Sequence, residues 1–200
     1  MRDPRTDRLA HTLVRYCVRA KKRETVGVSA GLAALPLVEA VYEELLKAGA
    51  LPALRMSPDS LSEIFFRSAR PHHFTEISPF QRAYAECVDA SISIYAQTNT
   101  KAMSATDPRK SALMARTMKP IQDIMSHKKW CLTLFPTEAY AQDAEMSLAE
   151  FEDFVYGATF SDEDDPIAKW RELGQRQAKL ISSLRGANQV RIVGAGTDIT

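Results

Sequence analysis

The sequence is short of the residues that announce a covalent or metal-held framework. It has three cysteines, Cys17, Cys87 and Cys131, an odd number, each inside an apolar helix or strand pattern. They read as buried reduced thiols rather than disulfide partners. Of the four histidines, His72 and His73 are adjacent, so their side chains are expected to diverge on any regular element, while His11 and His127 fall on helix surfaces or ends. There is no His-Glu-x-x-His, no cysteine–histidine zinc spacing and no Walker loop. The formal net charge is only +1, which removes the electrostatic reason to expect a nucleic acid or an anionic membrane as partner. No apolar run is long enough to cross a bilayer, and MRDPRTDRLA reads as a charged helix start rather than a signal peptide. The expected location is the cytoplasm.

What is there is an ordinary globular composition, 45% hydrophobic and 26% charged over 200 residues, enough for one sizeable domain with a real core. Asp3-Pro4, Asp107-Pro108 and Asp165-Pro166 each read as a helix start. The aspartate accepts from free N–H groups, and proline fits the first helical position, where an N–H is not needed. The first helix carries Leu9, Leu13, Tyr16 and Ala20 on one face and ends in the basic cluster Lys21-Lys22-Arg23, which suits the negative end of the helix dipole.

Short β-favouring runs predict five strands: Thr25–Ser29, Ala53–Met56, Ser91–Ala96, Trp130–Phe135 and Gln189–Val193. Between them lie helices, one with Leu37, Val38, Val41 and Leu45 inward and Gly49 as its stop, others over residues 60–69, 75–88, 108–127 (kinked at Pro120), 147–160 and 166–184. Alternation of this kind predicts an α/β fold, a mainly parallel sheet of about five strands with helices on both faces, Rossmann-like in arrangement.

The stretch Trp130 to Ser147 organises this pattern. An apolar strand leads into an eleven-residue polar connection, Pro136 to Met146, and then into a helix opened by the capping box Ser147-Leu148-Ala149-Glu150. The carboxyl end of a strand is where α/β proteins place functional groups. Thr137, Glu138, Tyr140, Gln142, Asp143 and Glu145 are therefore the candidate loop residues, with Gln97 and Asn99, which follow the third strand, as candidate neighbours across a cleft. The carboxylates could meet a substrate amine or a metal, although such loop residues more often cap or meet solvent; Tyr140 is the aromatic expected to dock against another domain or subunit. Gly27-x-x-x-Gly31 lacks the glycine spacing of a dinucleotide turn, Asp162 to Asp165 reads as a solvated turn and cap, and Gly194-Ala195-Gly196 reads as a turn with no helix after it. The catalytic equipment is incomplete, as in part of a longer protein.

Several stretches together resemble one family. PRTDRLAHTLVRYC (residues 4–17), LPLVEAVYEELLKAG (35–49), SEIFF (62–66), AQTNT (96–100), the stretch from Trp130 to Ser147, and the terminal GAGTDIT are similar to the N-terminal half of the thermophilic metallo-aminopeptidases of the aminopeptidase T and aminopeptidase S type. The most specific are FPTEAYAQDAEMSLAEFEDFVYGA and Gly196-Thr197-Asp198. The resemblance implies a homodimeric enzyme that releases N-terminal amino acids from peptides with two divalent metal ions of the zinc, cobalt or manganese type. It implies that residues 1–193 are an N-terminal α/β domain, with 194–200 opening a catalytic domain that holds every metal ligand and catalytic group. No catalytic or metal-binding residue is expected in this chain, and no ion is expected bound to it. The loop Pro136–Met146 would wall the active-site cavity and support the dimer. The alternative is a non-catalytic α/β module that binds a partner, or a small molecule at the strand ends near Gly31, Asn99 and Thr137.

Overall fold

A computed structural model describes residues 2–200, and the chain divides into two compact units, residues 1–166 and 167–200. The first is built on a four-stranded sheet of β1 (Thr25–Gly31), β2 (Leu51–Ser57), β3 (Ala90–Tyr95) and β4 (Lys129–Leu134). All pairings are parallel and the order is β2-β1-β3-β4. The chain thus leaves β1 towards one edge and later leaves β3 towards the other, so the direction of winding reverses between these two central strands.

That reversal puts helices on both faces. On one, α1 (Pro4–Thr12), a π-helical turn (Leu13–Cys17) and α2 (Leu35–Lys47) cover Val26, Val28, Ala30, Ile92 and Ile94, forming the main core with Leu37, Val41 and Leu45. On the other, α5 (Pro79–Cys87) and α6 (Pro108–Ser126) bring Tyr84, Ala85 and Ile121 against Ser29, Ser91 and Ser93. Between β2 and α5, α3 (Ser60–Ser68) and α4 (Pro71–Thr75) gather Phe65, Phe66 and Phe74 with centroids 5.2–5.8 Å apart, Phe65 meeting the other two rings edge to face. Beyond β4, α7 (Glu138–Asp143) and α8 (Leu148–Ala158) close a smaller cluster of Ala141, Phe151 and Val155. The second unit holds most of α9 (Pro166–Leu184) and a hairpin of β5 (Ile192–Gly194) and β6 (Thr197–Ile199).

Several expectations need correction. The fifth strand does not extend the sheet: β5 pairs antiparallel with β6, because Ala195-Gly196 makes a two-residue turn with Gly196 at φ +74°, and a local hairpin is satisfied without a long crossover. The parallel sheet therefore has four strands. The helix expected over 75–88 is shorter and runs only from Pro79 to Cys87, because Ser78 and Gln81 form a capping box ahead of Pro79 and start it there, while the stretch Arg70-Pro71-His72-His73, expected as a separator, is drawn into the short helix α4. In the first helix the π turn, with Val18 N–H donating to the Leu13 carbonyl, widens the spiral, and Val14 and Val18 rather than Tyr16 and Ala20 continue the buried stripe. Cys17 and Cys87 are exposed and Cys131 is half-buried, so none of the thiols is fully enclosed. His72 and His73 do not diverge: the tight turn of α4 brings their ring centroids to 3.9 Å.

The amino end is tied down by polar contacts. Asp3 caps α1 by accepting from Arg5 N–H at 2.8 Å, and Thr6 and Tyr156, both buried, share a hydrogen bond of 2.9 Å beneath the Arg5 guanidinium. The Arg5 side chain holds the Asp3 carboxyl below its ordinary value. A depressed carboxyl stabilises the fold fully above its unfolded pKa of about 3.9, and that contribution is lost as pH falls through the lower folded value. Asp3→Asn keeps a capping oxygen and loses the charge. The variant is expected to lose less stability than the parent between pH 5 and pH 2, measured by urea midpoints across that range.

Candidate functional site at the carboxyl ends of the strands

At the end of β4 the chain turns through Pro136 and buries Thr137, which is only 7% exposed. Its hydroxyl does two things. It donates to the Gln97 carbonyl at 2.7 Å and accepts from Tyr140 N–H at 3.4 Å, which makes Thr137 the N-cap of α7. The connection expected as an open loop is thus a short helix: a capping threonine is followed by helix-favouring alanines at 139, 141 and 144. Glu145, just past the helix, takes φ +57°, so the chain reverses there without glycine.

Tyr140 reaches back over β3. Its oxygen accepts from Gln97 N–H at 3.3 Å and lies 3.4 Å from Gln97 Oε1, while its ring rests against Phe151 with centroids 6.4 Å apart. Burial pushes its phenol above the ordinary value, partly offset by the Gln97 amide. Asp143 faces Lys101 at 3.3 Å; Thr100 and Lys101 hold its carboxyl below the usual range. Of the residues expected at the site, Gln97, Thr137 and Tyr140 come together, and Asp143 joins the loop after β3 through Lys101. Glu138, Gln142 and Glu145 are exposed and point to no partner in this cluster. Asn99 is spent locally, its oxygen accepting from Lys101 N–H at 2.9 Å.

Beside this cluster, and sharing Gln97 with it, is a cavity of about 530 Å³ over the carboxyl ends of β1, β2 and β3. Ser29, Gly31, Arg55, Asp59, Ser93 and Gln97 are among the residues that line it. Sequence reasoning placed Gly31 near a strand end but missed Ser29, Arg55, Asp59 and Ser93. A signal existed. Strands of a parallel sheet covered on both faces read as near-continuous apolar runs, whereas Val28-Ser29-Ala30 and Ser91-Ile92-Ser93-Ile94 alternate with serine. The Ser29 and Ser93 hydroxyls meet at 3.2 Å across the β1–β3 boundary, the point at which the winding reverses. Gly27 has a structural role rather than a phosphate-cradling one: a Cβ there would lie 2.1 Å from the Tyr84 oxygen. Its absence lets Tyr84 settle onto the sheet.

These side chains do not make a metal centre. Among the described residues no group of three or more histidine, cysteine, aspartate or glutamate side chains converges. No helix among them is long and apolar enough to cross a membrane.

The family model for thermophilic metalloproteases, M29, matches residues 2–200. The chain belongs to this family. It is 28% identical over 205 residues to Aminopeptidase 2 of Geobacillus stearothermophilus, a match covering 94% of this chain and 49% of that protein. Its fold resembles wild-type AmpT from Thermus thermophilus with a TM-score of 0.74 at 20% identity, over 97% of this chain and 52% of that one. This M29 chain therefore spans about half the length of the relatives it matches. The expected family is the one found, and the α/β architecture with its mainly parallel sheet agrees with the solved relative. The family's metal dependence finds no donor set among the described residues.

Proposed function

We propose that this chain is the N-terminal domain of a metal-dependent aminopeptidase, that it walls the active-site cavity, and that it cannot hydrolyse peptides alone. In this reading residues 1–193 form the domain and residues 194–200 lead into a second domain, which carries two divalent ions of the zinc, cobalt or manganese type. The whole enzyme would act in the cytoplasm as a homodimer on peptides.

One observation carries the reading: a chain matched by the family model over residues 2–200 covers only about half of its relatives, and its described residues assemble no metal-binding group. The Thr137–Tyr140–Gln97 cluster supports the wall, because it fixes α7 against β3 and leaves Gln142 and Glu145 outward, where a substrate or a second subunit can touch them.

The test uses a full-length enzyme carrying this domain. Replacing Tyr140 and Gln142 by alanine is expected to change the preference for peptide length or the subunit association, read by kinetics on a peptide ladder and by sedimentation. Unchanged kinetics together with an unchanged assembly would remove the role assigned to α7. The parent assignment is tested separately by following aminopeptidase activity through a sizing column. Activity that elutes with a subunit about twice this length is expected; a native product of this length without activity would favour a non-catalytic α/β module.

A further inference from the structure

We infer that the cavity over the carboxyl ends of β1, β2 and β3 is a binding site for a small zwitterion, a free α-amino acid or a dipeptide, held between Arg55 and Asp59. This goes beyond the peptidase reading and does not depend on it, since the cavity is made wholly by this chain.

The position is the first observation. Open α/β sheets bind ligands where the winding reverses, outside the carboxyl ends of the strands. Here that point lies between β1 and β3, and the cavity sits over it with a volume of about 530 Å³, within the range of small-molecule sites. The lining is the second. The serines at 29 and 93 break the apolar pattern of a two-sided parallel sheet, and local rules fail in natural proteins most often at functional sites. Their hydroxyls, 3.2 Å apart, both donate and accept.

Charge decides the ligand class. Among the described residues no carboxylate lies within ion-pair distance of Arg55. Its guanidinium instead lies over the Tyr84 ring, 4.5 Å from the centroid, and Tyr84 is seated by the missing side chain of Gly27. The ring thus holds the cation without neutralising it, and the guanidinium fork suits a carboxylate. Asp59 lines the same cavity. Its Oδ2 accepts from Thr98 N–H at 2.7 Å and from the Thr98 hydroxyl at 3.0 Å, which anchors the carboxylate and leaves Oδ1 for a ligand. One fixed cation and one fixed anion, not paired with each other, complement a ligand bearing both charges. A ligand with one charge would leave the other group unanswered.

The experiment is calorimetric titration of the chain with L-leucine, L-leucyl-L-leucine, N-acetyl-L-leucine, L-leucinamide and inorganic phosphate, with melting temperature as a second readout. Binding of leucine or the dipeptide is expected, with a rise in melting temperature because the ligand binds only the folded state; which of the two binds tighter tells the amino acid from the peptide. Blocking either charge, as in N-acetyl-leucine or leucinamide, is expected to weaken binding about tenfold or more. Arg55→Gln should do the same for leucine, and Asp59→Asn should erase the discrimination against N-acetyl-leucine while keeping an acceptor for Thr98. Phosphate or N-acetyl-leucine binding as tightly as the zwitterions would overturn the proposal in favour of a plain anion site. So would the absence of heat and of any melting shift with either zwitterion at about 10 mM, beyond ordinary millimolar affinity. None of these readouts is peptidase activity, so failure here leaves the aminopeptidase assignment standing.

Discussion

Ile92→Ala is expected to lower the stability of the chain by about 2–5 kcal/mol, the range for truncating a large aliphatic side chain in a packed core. Ile92 has no solvent exposure and sits in β3 between Val28 of β1 and Cys131 of β4. On its face of the sheet it packs in the cluster that includes Leu37, Val14 and Val41. Parallel strands cannot close around a lost side chain without breaking the ladder on both sides, so most of the cavity is expected to persist. Against a total of about 5–15 kcal/mol for a domain, a loss of this size is a substantial share of the whole. Urea unfolding should show a lower midpoint with an unchanged slope. Ile92→Val, which removes one methylene, should cost about 0.5–1.5 kcal/mol. Leu180→Ala, at a position 61% exposed, should stay within about 0.5 kcal/mol of the parent. If Ile92→Ala cost no more than Leu180→Ala, the position of the core would be wrong.

Thr137→Val is expected to cost about 0.5–2 kcal/mol, the range for losing a helix N-cap, and to loosen α7 in particular. Valine keeps the shape of threonine, so the effect isolates the hydroxyl. Two bonds disappear at once: the donation to the Gln97 carbonyl at 2.7 Å and the N-cap contact with Tyr140 N–H. A six-residue helix such as α7 has little intrinsic stability. Its position rests on this cap, on the Tyr140 contacts with Gln97 and on Ala141 against Phe151 and Val155. Amide exchange should therefore accelerate over residues 138–144 well beyond the rise in β1 and β3, because the lost bonds hold a local element and not the sheet. Thr137→Ser keeps the hydroxyl and should restore protection. Equal loss of protection across the whole sheet, or none in α7, would contradict the role given to this residue.

Both predictions join positions far apart in the chain, and this marks the line between sequence and tertiary structure. Local chemistry determined the order of elements. Asp3-Pro4, Asp107-Pro108 and the Ser147–Glu150 box open α1, α6 and α8 as their capping geometry requires. Apolar runs placed β1, β3 and β4 to within a residue or two. The same local signals carried the family, because its distinguishing stretches are themselves continuous in sequence.

Composition could not say which strands are neighbours. The pattern at 189–193 reads as strand whatever it pairs with, and only the two-residue turn at Ala195-Gly196 made it half of a hairpin instead of a fifth member of the sheet. The candidate loop was legible as a place but not as a shape. Thr137, Tyr140 and Gln97 meet because β3 and β4 are adjacent, across some forty residues of chain. The serine-lined cavity depended on tertiary structure most. Ser29, Arg55 and Ser93 are unremarked polar residues on three separate strands until the order β2-β1-β3 sets their ends side by side. Periodicity records which face a side chain takes, but pairing between distant strands is set by the free energy of the whole packed core, and no local window of sequence contains it.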